Sequence, residues 1–355
     1  MSTIGTLLPL EAYLERKSNE SQLFPSNKND YFHRYMIIKR YLAENVYPNI
    51  HAGTSAEDGG IYTDHSIDHF NAVITYLGKL VDIDTNNLDK ELKISPYEIY
   101  VALVAILLHD AGNIFGRQGH ERKTLQILRD IGPAACPDVF EGRRIAKIAT
   151  AHGGKFKKTN GELTKDTISQ IEETDAIGGI SYRPRLIAAL VRFADEICED
   201  RTRAVNYLLD RSLLPKFSEI FHQYAASISS VDVDFLSKRI LIKYEIEEED
   251  AKKKFGKGDS QNVEDVYLID EINVRLEKMF HELIYCKNFM YEVCLLNKIR
   301  ADITIYSDDK DEIQQSFELE QSGYPNENFS FSDTYPNWSG DEIFKILTKN
   351  EVASD

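Results

Sequence analysis

From Tyr31 to Tyr47 the apolar positions Phe32, Met36, Ile37, Tyr41 and Leu42 recur at helical spacing and predict a helix. A Gly- and Asp-rich stretch, His51 to Tyr62, precedes a second predicted helix carrying Phe70, Val73, Ile74, Leu77, Leu80 and Val81. Ser95-Pro96 opens a third, with Ser as N-cap and Pro in the first turn. That helix is apolar on most sides from Ile99 to Leu108, which places it at the centre of a core. Glu121 to Leu128, Gly142 to Ala151, Ser169 to Ala176 and Pro184 to Cys198 are further helical segments. Strand signals are scarce before residue 235, so this part is expected to be an α-helical bundle.

The pattern then changes. Ile240, Ile242, Tyr244 and Ile246 alternate with Leu241, Lys243 and Glu245, as in a half-buried strand. A charged linker is expected from Glu247 to Asp259. A long helix follows over about 264–298, with apolar residues at Ile269, Ile272, Leu276, Met279, Leu283, Cys286, Met290 and Val293. That spacing fits a coiled-coil dimer or a core helix, and the irregular flanking charges favour the core helix. Ala301 to Tyr306 and Phe317 to Glu320 read as strands, residues 322–340 as a polar loop, and Asp341 to Leu347 as a short helix. The expected organisation is a loosely held segment over 1–30, a helical domain over 31–210 and an α+β extension over 211–355. The fold class is mainly α with a C-terminal α+β extension.

Composition narrows the function. With 42 Lys+Arg against 58 Asp+Glu the formal charge is −16, which disfavours DNA and anionic membranes as partners. The first residues lack the basic region of a signal peptide, and the longest apolar run, Val101 to Leu108, is too short for a membrane span. Cys136, Cys198, Cys286 and Cys294 form no CxxC pair and read as reduced thiols. A cytoplasmic protein is expected.

The histidines carry the chemistry. His65 and His69 sit at i and i+4, on one face of a helix. His109-Asp110 ends the most apolar helix in the chain, where a polar pair is costly unless a cation binds it. Gly119-His120, then His152 at a helix end, then Asp195 within an apolar helix complete the set. Imidazoles and carboxylates suit Mn, Fe, Co, Ni or Zn, whereas Mg prefers more oxygen. Each residue also has a plain structural role open to it. His152 before Gly153 could cap its helix, and Asp195 could pair with Arg185 or Arg192. His33, His51, His222 and His281 belong to no such set.

Over about residues 60–205 this pattern resembles the HD-domain metal phosphohydrolases. The resemblance assigns His69, His109, Asp110 and Asp195 to one divalent ion, and His120 and His152 to a second ion bridged through Asp110. The spacing His65-x-x-x-His69 is also similar to the cyclic-nucleotide phosphodiesterases of that superfamily, which makes His65 the general acid, with Asp64 or Asp68 orienting it. Ala194-Asp195-Glu196-Ile197 is similar to a stretch of the deoxynucleotide triphosphohydrolases. Asn113 stands where the HD-GYP phosphodiesterases carry Lys, which argues against cyclic di-GMP.

The resemblance implies metal-assisted attack of water on phosphorus, with Asp110 and His65 catalytic. Arg117, Lys155 and Asn113 are the better candidates for substrate contacts, ahead of Arg122, Arg183 and Arg185. A phosphodiester in a cyclic or short oligonucleotide is the expected substrate. A (deoxy)nucleoside triphosphate is the alternative, and a non-catalytic nucleotide sensor a further one. Two divalent cations on two carboxylates make such a pocket locally positive despite the overall charge. A small nucleotide therefore fits better than a long nucleic acid, and the C-terminal extension is a candidate surface for a homo-oligomer or a protein partner.

Overall fold

The computed structural model describes residues 6–26, 30–50, 67–116, 119–158, 161–199, 214–259, 261–307, 310–321 and 329–354. They divide into two units. The first takes the described residues within 1–57, 65–198 and 286–294, and the second those within 58–64, 199–285 and 295–355.

The first unit is helical: α1 (Pro9–Lys17), α2 (Tyr31–Asn45), α3 (Ile67–Leu80), α4 (Pro96–Leu108), α5 (Thr124–Ile131), α6 (Val139–Thr150) and α7 (Pro184–Glu196). At its centre α4 is buried from Tyr97 to Leu108 and packs against α2, α6 and α7. Its start is set locally. Ser95 Oγ accepts from Glu98 N–H at 3.2 Å and the Glu98 carboxylate accepts from Ser95 N–H at 2.8 Å, closing a capping box. Together with the turns after it, Pro96–Phe115 is long and apolar enough to cross a membrane, yet most of that span lies inside the protein. It is a core helix ending on a polar doublet.

Parts of this unit differ from the sequence expectation. Residues 9–17, expected to be loosely held, form α1, with Leu10, Tyr13 and Leu14 buried and Glu11 joined to Lys39 and Tyr35. Residues 169–176, expected as helix, instead end a 3-10 turn and enter a hairpin. That hairpin is β3 (Asp175–Ile177) with β4 (Ile180–Tyr182), and β1 (Phe156–Lys157) pairs with β2 (Leu163–Thr164) just before it. Strands of two or three residues, with one buried residue among them, present no apolar alternation from which to read them.

The second unit is α+β. Helix α8 (Glu219–Ser227) leads into β5 (Ile228–Asp234), which pairs antiparallel with β6 (Arg239–Glu247). The stretch expected as a charged linker builds α9 (Glu248–Lys252) and β7 (Lys254–Gly258), the latter paired with β8 (Val263–Tyr267). The long helix, α10 (Leu268–Met290), is shorter than expected because β8 precedes it and β9 (Lys298–Ser307) follows. β10 (Lys310–Glu320) completes a sheet of order β10-β9-β6-β5, in which β6 and β9 run parallel. Register aligns the apolar positions: Ile240 with Ile299, Ile242 with Ala301, Tyr244 with Ile303 and Ile246 with Ile305, all buried. In α10 the residues Ile269, Ile272, Leu276, Met279, Leu283, Cys286 and Met290 are buried within the single chain, which is the core-helix alternative. The chain closes with α11 (Phe331–Thr334) and α12 (Gly340–Ser354), the latter longer than the short helix expected.

Candidate metal centre

Four helix ends and one turn meet at a single spot. His69 comes from the first turn of α3, His109 and Asp110 from the end of α4, His152 from just past α6 and Asp195 from the last turn of α7. His120 comes from the 3-10 turn before α5. Helix-terminal placement matters because side chains there can converge without breaking a helical ladder.

Two groups form, sharing one residue. In the first, Asp195 Oδ1 lies 3.4 Å from His69 Nε2 and 3.5 Å from His109 Nε2. His109 Nε2 also lies 3.6 Å from Asp110 Oδ2. In the second, Asp110 Oδ1 lies 2.9 Å from His120 Nε2 and 3.4 Å from His152 Nε2. Ligand atoms of His69, His109 and Asp110, and separately of Asp110, His120 and His152, lie within 4.8 Å of one another. Asp110 thus turns one oxygen toward each group.

Two of the rings are anchored by backbone. His109 Nδ1 donates to the Ile106 carbonyl at 2.7 Å, which turns its Nε2 toward the two carboxylates. That Nε2 is fully buried and satisfies no hydrogen bond, so the site exposes a donor atom that a cation would satisfy. His152 Nδ1 donates to the Ala149 carbonyl at 2.6 Å, so this residue both caps α6 and presents Nε2 to Asp110. Two imidazoles with one or two carboxylates per group fit a divalent transition metal.

Charge is organised around the carboxylates. Burial opposes ionisation of Asp110, yet His109, His120 and His152 hold it well below the usual carboxylate range. Burial likewise opposes the Asp195 charge, and His109 and His69 reverse the balance. Burial would lower His109, but Asp110 and Asp195 outweigh it and raise this imidazole to about 9.

Backbone features hold the convergence. Asp110 itself has φ −108° and ψ 0°, between the helical and extended regions, and turns the chain into a 3-10 helix over Ala111–Phe115. Gly112 lets the next ligand approach, since a Cβ there would sit 2.0 Å from the His120 carbonyl oxygen. Gly119, at φ 70°, supplies the left-handed turn that starts the His120 segment.

An apolar wall backs the first group. Phe70 lies 5.3 Å from the His109 ring and stacks on Tyr47 at 4.1 Å, while Tyr47 Oη donates to the Leu107 carbonyl at 2.7 Å. The part played by Tyr47 had no signature in sequence. That of Gly112 lay in plain sight within His109-Asp110-Ala111-Gly112, but its contact partner is not local.

Of the other residues singled out, His65, Asp64 and Arg117 lie outside the described residues, and so does the side chain of Arg122. Asn113 is buried in the turn after the doublet, and Lys155 is exposed three residues past His152. Two basic candidates are committed elsewhere. Arg183 binds Glu98 and Glu292, and Arg185 donates to the Ile171 carbonyl at 2.8 and 3.0 Å. Asp195 faces the two imidazoles, and Arg192 donates to Lys165 O and Thr167 Oγ1.

A family model described as HD-CE matches residues 60–278. No curated protein matches the chain, and no solved structure does.

Proposed function

The chain belongs to the HD-CE family, and on that premise we propose that it is a metal-dependent phosphohydrolase acting on a small nucleotide, cleaving a phosphodiester. The observation that carries this reading is the shared carboxylate of Asp110. One oxygen faces His109 and the other faces His120 and His152. Divalent ions held there would supply an activated water and neutralise the oxygens of a phosphate under attack.

The protein's own residues do the rest. His69, His109 and Asp195, with Asp110, would hold one ion, and His120 and His152, with Asp110, a second. The Ile106 and Ala149 carbonyls fix the rings of His109 and His152, so little ordering remains on binding. His65 holds the proton for the leaving oxygen in this scheme, on the strength of the spacing His65-x-x-x-His69. Lys155, Arg117 and Asn113 serve phosphate or sugar. The choice of phosphodiester over nucleoside triphosphate rests on His65.

The test is a screen of cyclic, oligomeric and triphosphate nucleotides with Mn, Fe, Co, Ni, Zn and Mg, read by chromatography. Turnover lost in His69→Ala and Asp110→Ala is the expected result. Stoichiometric nucleotide binding without turnover under any metal overturns the enzyme reading. His65→Ala at wild-type rate on bis-p-nitrophenyl phosphate removes the general-acid assignment.

A further inference from the structure

The turn that delivers His152 has a second side. A cavity of about 440 Å³ opens against it, lined by Ala151, Gly153, Lys155, Phe156, Gln170 and Ile171. We infer that this cavity holds the base of the substrate nucleotide, an inference that rests on the phosphohydrolase reading and extends it.

Size sets the class. A volume of about 440 Å³ falls within the range of small-molecule sites, roughly 300–1,000 Å³, enough for a nucleoside and too little for a folded chain. Phe156 is 40% exposed on its two-residue strand, so a flat aromatic ring there goes uncovered by the protein's own side chains. Stacking of a base on such a ring covers it without demanding a particular base, and the Gln170 amide in the same lining can meet a polar edge.

Charge sets the direction. Lys147, also in the lining, is neutralised, its Nζ donating to both Glu172 oxygens at 2.9 and 2.8 Å. Among the described residues Lys155 has no carboxylate partner, leaving one cation for the nucleotide's phosphate. The wall is also firm. Thr167 Oγ1 donates to the Ala151 carbonyl at 2.7 Å and in turn accepts from Arg192 Nη1 at 3.0 Å. Ala151 and Gly153 line the cavity while His152 between them faces Asp110, so an occupant lies beside a residue of the metal centre.

The experiment titrates the four ribonucleoside 5′-monophosphates and inorganic phosphate onto the full chain in excess EDTA, by calorimetry. At least one monophosphate is expected to bind about tenfold or more tightly than phosphate, the size of one base–aromatic stack. Phe156→Ala should remove that advantage and leave phosphate binding unchanged. Gly153→Leu should do the same by filling the cavity, since its Cβ position has nothing within 4 Å. Melting curves confirm that both variants fold. Monophosphates that bind no better than phosphate, or two variants that bind as wild type, overturn the inference. The readout is independent of turnover. Base-dependent binding with no hydrolysis under any metal sinks the phosphohydrolase reading and keeps the pocket. Turnover with unchanged KM in both variants does the reverse.

Discussion

Arg183 grips Glu98 with three donors: its backbone N–H and Nε reach Oε1 at 2.9 and 2.8 Å, and Nη2 reaches Oε2 at 2.8 Å. These residues stand at the first turns of α7 and α4, two helices of 13 residues each that pack together. At the far ends of the same helices Asp195 lies 3.5 Å from His109. The helices therefore run side by side in the same direction, pinned at one end by an ion pair and meeting at the other in the candidate metal centre. A rise of about 1.5 Å per residue makes the separation about 20 Å. The pair fixes the axial register on which the His109–Asp195 meeting depends.

Glu98→Gln should lower stability by roughly 2–3 kcal/mol at neutral pH, as for loss of charge-assisted hydrogen bonds to a partly buried arginine. Burial opposes the Glu98 charge, but Arg183 and the Ser95 and Arg183 backbone N–H groups hold this carboxyl below its ordinary 4.5. A depressed carboxylate stabilises the fold above the unfolded-state pKa, and the contribution fades as pH falls through the folded one. The gap between wild type and variant in urea melts should hold at pH 6–8 and close in acid. A gap that persists unchanged at pH 3 contradicts the assignment.

Gly112→Ala tests the approach of the His120 segment. A methyl group cannot sit 2.0 Å from a backbone carbonyl oxygen, so the turn must move and carry His120 from Asp110. Metal content by mass spectrometry should fall by the proposed second ion, with the fold retained by circular dichroism.

Single substitutions should separate the two groups. His69→Ala and Asp195→Ala should each deplete the first ion, His120→Ala and His152→Ala the second, and Asp110→Ala both. Equal loss in all five variants would mean one shared ion.

In the metal-free protein His109 stays protonated up to about 9, because Asp110 and Asp195 outweigh its burial. A raised histidine stabilises the fold fully below the unfolded pKa of about 6.5 and loses that contribution as pH rises through 9. Melting temperatures in EDTA should therefore decline between pH 6.5 and 9.5. Metal must also displace this proton, so calorimetric titration near pH 7 should show metal-linked proton release that shrinks above pH 9. Identical heats in buffers of different ionisation enthalpy would refute it.

Much of this fold is legible because its cues are local. The Ser95-Pro96-Tyr97-Glu98 box starts α4 within one turn, and the alternation from Ile240 to Ile246 needs only a strand's two-residue period. Helix α1 escaped because it is short and half polar, and its Glu11 is held by Lys39 on another helix. The hairpin strands over 156–182 escaped because almost nothing in them is buried.

The sequence by itself determined the candidate ligand types, their order along the chain and the helix ends that carry them. Only the tertiary structure decided which atom faces which: that Asp110 divides its oxygens between two histidine groups, that Asp195 meets His69 and His109, and that Arg183 is spent on Glu98. Helical and strand periods are set by neighbours a few residues away, and side chains of suitable type advertise them. Contacts such as His109 with Asp195 or Gly112 with the His120 carbonyl exist only once packed helices fix the distances between distant segments.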